Sequence, residues 1–245
     1  MLMQPYLEIT TVSKCPVNCR FCPQDVFQKA YKGQAKLTFE DFKTVLDKLP
    51  KGMMVCFSGY AEPFLNADAI KMMQYAEETS HPIMLFSTLV GLNMQKAREL
   101  AEIEIEYFCL HLPDNLGNAK ISDTQEYREV LNYVLRHMTI SNFSVHNMLF
   151  QSDGRAGNLT DARPYIYGPF NCVKLVTPQF VMLPNCDVQL CCMDFGLQHK
   201  IGNLKTQSWD ELVNSPVYKK LREDRFEIGS PGICRRCAYA TPIKF

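Results

Sequence analysis

Hydrophobic positions along the first two thirds of the chain switch repeatedly between two periods. Short apolar runs ("YLEITTV", "MMVCFSG", "PIMLFST", "IEYFCLHL", "NFSVHNMLF") read as strands. Between them lie segments whose apolar residues return at helical spacing. In "LTFEDFKTVLDKL" these are Phe39, Phe42, Val45, Leu46 and Leu49, with Thr38 as N-cap, Asp41 three residues on, and Leu37 and Phe42 placed as a hydrophobic staple. "ADAIKMMQYAEET", "NMQKARELAE" and "SDTQEYREVLNYVLRHM" repeat the helical pattern, the last with Ser122 and Gln125 as a capping box. Strand, helix, strand in succession predicts a parallel sheet with right-handed crossovers. The strands show little polar alternation, as strands covered on both faces do. The class is α/β, either an open doubly wound sheet or a partial (β/α) barrel. In both, ligands gather at the C-terminal ends of the strands.

The pattern breaks at "FQSDGRAGNLTDARPYIYGPF", rich in Gly, Pro, Asp and Asn, which reads as a linker or an active-site loop. Beyond it, "CVKLVTP" reads as a strand, and "QFVML" and "DVQLCC" flank Pro184-Asn185 as a hairpin. Ser208 and Glu211 form a capping box before a short helix, and Ser215-Pro216 opens a second. The expected division is a core over 1–170 and a small α+β unit over 171–245.

Composition narrows the class. The 245 residues are 47% hydrophobic with a net charge of zero, so neither a nucleic-acid surface nor a basic membrane patch is expected. "MLMQPYLEITTVSK" lacks the charged start and apolar centre of a signal peptide, and no apolar run is long enough to span a bilayer. The expected location is cytoplasmic. Eleven cysteines are then unusual, because disulfides are rare in a reducing compartment and an odd count does not pair off. Cys56 and Cys109 sit in apolar runs and read as core. The others cluster, Cys15, Cys19 and Cys22 near the start and six in the last third, which predicts two metal-binding regions.

"SKCPVNCRFCPQ" leaves the first strand, at the ligand-binding end of the predicted sheet. Three thiolates are too few to complete a tetrahedral zinc or iron–sulfur site, but can hold three irons of a 4Fe–4S cube and leave the fourth open. The spacing Cys15-x-x-x-Cys19-x-x-Cys22, with the aromatic Phe21 before the last thiol, resembles the signature of the radical S-adenosylmethionine (SAM) family. The resemblance implies a partial barrel of about five or six strands, in the order-of-magnitude sense of such folds, and an open iron that chelates SAM. One electron would then release a 5′-deoxyadenosyl radical, the cofactor carrying the hard chemistry. "FSGYAEPFLN" resembles the family's G-G-E-P turn, which receives the methionyl end of SAM. Gly59, Glu62 and Pro63 match it, Ala61 replaces the second glycine, and Tyr60 is inserted in a permissive place. Where the family's third strand often ends T-N-G, this one ends "STLVG"; His111, in "CLHLPD", is the candidate near the ribose.

Cys172, Cys191, Cys234 and Cys237 make a second set, closed by the C-x-x-C hook of "GICRRC". With "NCDVQLCCMD", "IGNL" and "SWDELVNSPVYKKLR", this region resembles the twitch form of the SPASM extension of radical SAM enzymes. The resemblance implies an auxiliary 4Fe–4S cluster; four thiolates in two separated groups also suit zinc, as in a zinc-stabilised binding module. In the doublet Cys191-Cys192, strand alternation puts Cys192 with Val188 and Leu190 as core, and Cys191 on the face of Gln189 and Asp187 as ligand. Cys186 falls at the family's turn glycine and is a bystander.

A saturated auxiliary cluster beside a radical site can accept the second electron of an alcohol oxidation. The whole resembles an aminocyclitol dehydrogenase, in which an N-R-G-G segment precedes the twitch; here "GRAGNL" stands in its place and Arg155 is the catalytic candidate. The expected substrate is a sugar-like small molecule and the expected reductant a flavodoxin or ferredoxin. The rival is a peptide-modifying radical SAM enzyme. Many of those carry a recognition domain before the barrel or a full SPASM module, whereas 14 residues precede Cys15 here.

Overall fold

The computed structural model describes residues 4–114, 116–146, 154–159, 164–230 and 232–243. Its elements follow the predicted alternation: β1 (Tyr6–Ile9), α1 (Gln24–Ala30), α2 (Phe39–Leu46), β2 (Met54–Phe57), α3 (Ala69–Glu78), β3 (Ile83–Ser87), α4 (Met94–Ala101), β4 (Ile105–His111), α5 (Gln125–His137) and β5 (Ile140–His146). Then come β6 (Phe170–Cys172), α6 (Val173–Val176), β7 (Gln179–Met182), β8 (Asp187–Gln189), β9 (Lys200–Asn203), α7 (Trp209–Val213), α8 (Pro216–Asp224) and β10 (Ala240–Pro242).

One eight-stranded sheet runs in the order β5-β4-β3-β2-β1-β7-β8-β9. Strands β1 to β5 pair in parallel, as a partial barrel requires. The sixth parallel strand is β7, and it joins at β1 (Tyr6 opposite Gln179, Ile9 opposite Met182) rather than after β5. All four residues of β7 are buried, so the strand needs a position covered on both faces, and the β1 edge supplies one. The hairpin continues antiparallel through β8 and β9, while β10 and β6 form a separate antiparallel pair. No helix among the described residues is long and apolar enough to cross a membrane.

The caps show why these helices begin where they do. Thr38 accepts a hydrogen bond from the Asp41 amide, and Phe42, Val45 and Leu46 face the core. Burial of each such side chain stabilises by roughly 1.5–3 kcal/mol. Ser208 and Glu211 make the full reciprocal box, and Ser215 caps α8 ahead of Pro216.

Two expectations about elements need correction. Helix α5 is capped by Thr124, which accepts from Tyr127 N at 3.1 Å, so Ser122 lies outside it. "CVKLVTP" is a strand end followed by one helical turn: pairing with β10 stops at Cys172, and the turn carries Lys174 and Leu175 inward. Short apolar runs do not separate the two states by periodicity. Helix α1 follows the three-cysteine loop directly and carries no clear sequence stripe. The expected strand at "NFSVHNMLF" is found as β5; its last positions, 147–150, lie outside the described residues.

Candidate functional site

The buried pair Thr10-Thr11 continues β1 and organises the end of the sheet. Thr11 Oγ1 donates to Pro63 O at 2.9 Å, Thr10 Oγ1 accepts from Tyr60 N at 3.2 Å, and the Asn66 amide donates to both Thr11 O and Leu37 O. The turn after β2 is thereby tied to the root of the three-cysteine loop. That loop is closed by Cys22 N to Cys19 O at 2.9 Å. It is pinned to the segment after β4 by Arg20 N to Asn118 O and Lys120 N to Val17 O.

Cys15, Cys19 and Cys22 line one cavity of about 370 Å³, whose wall also includes Phe21, Gly59, Glu62, His111 and Arg155. The seven residues that the radical SAM resemblance singles out, with Arg155, therefore converge on one space. Burial raises the thiols of Cys15 and Cys22. It pushes Cys19 to about 12, with the neighbouring Cys22 and Cys15 adding to the rise. Three desolvated, mutually repelling thiols become stable thiolates when a metal centre supplies the opposite charge. The donor set fits an iron–sulfur cluster with one open iron.

Gly59 adopts φ +68, and a Cβ there would stand 2.8 Å from the Thr10 Cα, so only glycine fits. Its amide donates to Glu8 at 2.9 Å. Glu62 turns inward: its carboxylate accepts from Ser87 Oγ at 2.6 Å, Thr88 N at 2.7 Å and Thr88 Oγ1 at 2.6 Å. Burial raises this carboxyl above its ordinary value, and the hydrogen bonds work the other way. The Ser-Thr pair that stands in place of T-N-G thus clamps the Glu62 turn to the end of β3. Tyr60 is not a permissive insertion. It is buried, and its hydroxyl donates to Cys191 O at 2.8 Å, joining this turn to the C-terminal cysteines.

Arg155 has left-handed backbone (φ 40) and lines the same cavity. Its Nε donates to Phe21 O at 3.1 Å, and its guanidinium lies over the Phe21 and Phe195 rings.

Cys172, Cys191, Cys234 and Cys237 line a second, small cavity closed by Leu175, Leu190 and Ile233. Burial pushes the Cys191 and Cys234 thiols up, and neighbouring cysteines push them further. Four thiols converge in an apolar chamber, a donor set that fits a saturated iron–sulfur cluster. Cys186 is buried elsewhere, beside Asp41, Lys205 and Asp187, with φ +63. The strand register expected for the doublet does not apply, because β8 ends at Gln189 and a turn closed by Asp194 N to Cys191 O follows. That turn separates the two thiols: Cys191 faces the small chamber and Cys192, expected in the core, lines the large cavity.

Three residues escaped the sequence reading. Lys174 contributes to the walls of both cavities, and its Nζ donates to Gln179 Oε1 at 2.8 Å. Gln24 donates to Cys22 Sγ at 3.4 Å and to Tyr60 O. Arg235 is 1% exposed, and its guanidinium gathers the carbonyls of Ile166, Gly168 and Asp224 to shape the C-terminal hook. The only sequence signal for any of them was adjacency to a cysteine.

Residues 172–238 match the SPASM family, an iron–sulfur cluster-binding domain. No curated protein sequence matches the chain. Among solved structures, BtrN in complex with AdoMet and 2-DOIA is similar at 16% identity and a TM-score of 0.71, over 98% of this chain and 94% of BtrN. The anSMEcpe structure with bound AdoMet gives 12% identity and 0.60, over 96% and 88%. Streptococcus suis SuiB bound to the precursor peptide SuiA gives 13% and 0.59, over 96% and 70%. With its three-cysteine loop at the head of a parallel partial barrel and a segment joined to the same sheet that matches the SPASM iron–sulfur cluster-binding domain, the chain has the fold of the radical SAM enzymes.

Proposed function

We propose that this protein is a radical SAM oxidoreductase that removes two hydrogens from a polar small molecule, most simply converting a sugar or cyclitol alcohol to a carbonyl. One observation carries the reading: the three-thiol and four-thiol sets line two cavities that share Lys174 in their walls. Cys15, Cys19 and Cys22 would hold the SAM-binding cluster, and Cys172, Cys191, Cys234 and Cys237 the auxiliary one. When bound, these groups with SAM supply a 5′-deoxyadenosyl radical that takes a hydrogen atom and an acceptor for the remaining electron, the second hydrogen leaving as a proton.

The chain's own residues bind and orient. The Gly59–Glu62 turn, held by Thr10 and by Ser87-Thr88, offers fixed backbone groups beside the three-thiol loop. The half-buried Arg155, tied to Phe21 O, lines the cavity and presents a cation to a substrate hydroxyl. Glu8 and Lys174, 6% and 7% exposed, put one carboxylate and one ammonium on the cavity wall. Burial works to lower the Lys174 ammonium, but its neighbours, Cys192 first, shift it upward. Such a wall suits a ligand rich in hydroxyl or amino groups.

BtrN, whose structure holds 2-DOIA and whose length the chain nearly spans, supports the small-molecule reading. SuiB, seen with a precursor peptide, supports a second reading, peptide modification. The test is anaerobic turnover of the reconstituted protein with SAM, a reductant such as flavodoxin or ferredoxin, and carbon-deuterated aminocyclitols. The expected product is two hydrogens lighter, with one 5′-deoxyadenosine per carbonyl and deuterium in it. Turnover of a peptide alone, with every aminocyclitol inert, overturns the first reading in favour of the second.

A further inference from the structure

Strands β4 and β5 lie at the edge of the sheet farthest in strand order from the C-terminal hairpin. Cys109 and His111 alternate on β4 and so share a face. Register sets His111 opposite His146 and Cys109 opposite Ser144, bringing all four to that face. Cys109 Sγ is 3.5 Å from His111 Nε2, and the two imidazole rings are 5.6 Å apart, centroid to centroid. One ligand atom from each of Cys109, His111 and His146 lies within 4.8 Å of the others. Both histidines line the large cavity, whereas Cys109 is wholly buried behind them.

Tetrahedral zinc, with Zn–S about 2.3 Å and Zn–N about 2.0–2.1 Å, has a sulfur–nitrogen edge of about 3.6 Å. The Cys109–His111 separation matches that edge. The surroundings also fit. Tyr107 Oη and Ser144 Oγ are hydrogen-bonded at 2.7 Å on the face that Cys109 shares, Ser144 directly opposite it in register, where hydroxyls can orient a metal-bound thiolate. One thiolate and two imidazoles form a borderline-soft set suited to zinc, cobalt or ferrous iron rather than magnesium or calcium.

We propose that Cys109, His111 and His146 bind one divalent transition metal, zinc foremost, with a fourth coordination position open to the large cavity. Three protein ligands and one open position is the pattern of a metal that takes a ligand from solution, here an oxygen or nitrogen donor that enters the large cavity. His111, a ribose contact in the sequence reading, becomes a metal ligand, and Cys109 becomes more than core. The site rests on the β4–β5 geometry and is independent of the oxidation reading.

The test uses full-length protein reconstituted anaerobically with iron and sulfide, then given zinc sulfate and desalted. Zinc and iron are counted separately, and zinc K-edge absorption reads the coordination shell without interference from iron. The expected result is one retained zinc per chain with one sulfur neighbour and a nitrogen/oxygen remainder. Cys109→Ser and His146→Gln should each abolish zinc retention at unchanged iron, and Ser144→Ala should weaken it by about 10–100-fold. His146 is exposed, so its variant keeps the test intact if Cys109→Ser fails to fold. No retained zinc, an all-sulfur shell from occupancy of the cluster cysteines, or full retention by His146→Gln overturns the proposal.

Discussion

At the scale of single residues, this protein uses polar side chains more as ties than as reagents. Glu62 grips Ser87 and Thr88, Thr10 and Thr11 grip the turn after β2, and Tyr60 reaches the Cys191 carbonyl. Each of these groups is buried, where an unpaired polar atom costs about 1–3 kcal/mol, so each tie fixes a loop position. The same logic sorts the cysteines. Cys191 faces the four-thiol chamber, Cys192 the large cavity, and Cys186 neither. Cys191→Ala should therefore strip or degrade the auxiliary cluster, while Cys192→Ala and Cys186→Ala should leave its iron and EPR signal nearly unchanged. Iron content and EPR of the three single variants check this; cluster loss in Cys192→Ala with retention in Cys191→Ala would reverse the assignment.

At the scale of elements, the β8–β9 pair shows how charge supports a short sheet edge. Asp187 pairs in register with Asn203, accepts from it at 2.8 Å, and meets the Lys200 ammonium at 2.6 Å. Burial works to raise the Asp187 carboxyl, but Lys200, Asn203 and Asn185 outweigh it and hold it below the ordinary value of 3.8. As pH falls, the unfolded chain takes up this proton before the folded one does. The stability that Asp187 contributes is complete above the ordinary value and is lost as pH falls through the lower folded value. Asp187→Asn should be less stable than the parent at pH 7, with the gap narrowing toward pH 4 and below. Anaerobic denaturant titrations across that range check it; a gap that widens on acidification would exclude the ion pair as its source.

At the scale of the whole molecule, β1 is the hub. Its C-terminal end delivers the three-cysteine loop, its parallel neighbour β2 delivers the Gly59–Glu62 turn, and its other neighbour β7 begins the hairpin that leads to Cys191. The three-cysteine loop and Cys191 thus hang from one sheet, while Cys172 ends β6 and Cys234 and Cys237 precede β10, its partner in the two-stranded sheet. Anaerobic reconstitution should approach about eight irons per chain, by the count of two 4Fe–4S clusters. Replacing Cys15, Cys19 and Cys22 together by Ala should halve the iron and abolish reductive SAM cleavage. Replacing Cys234 and Cys237 should lose the other half yet spare cleavage of SAM without substrate. Complete iron loss from either set of changes would mean that the two sites do not load independently.

The hydrophobic periods of the sequence determined the βα alternation, most of the helix caps, and the position of the three-cysteine loop after the first strand, because these depend on neighbours a few residues away. The clustering of thiols along the sequence likewise pointed to two cysteine regions, while the choice of Cys172 and Cys191 for the second set came from a family resemblance rather than from short spacing. Packing alone decided the rest. The place of β7 beside β1 depends on which sheet edge can cover a fully buried strand. Tyr60 and Lys174 acquire their places from partners as distant as Cys191 and from a helical turn that local propensity did not distinguish from a strand. The Cys109–His111–His146 group needs the β4–β5 register, which no single strand encodes. Contacts of long sequence separation are set by the folded sheet, and there the polar side chains find the partners that make these sites.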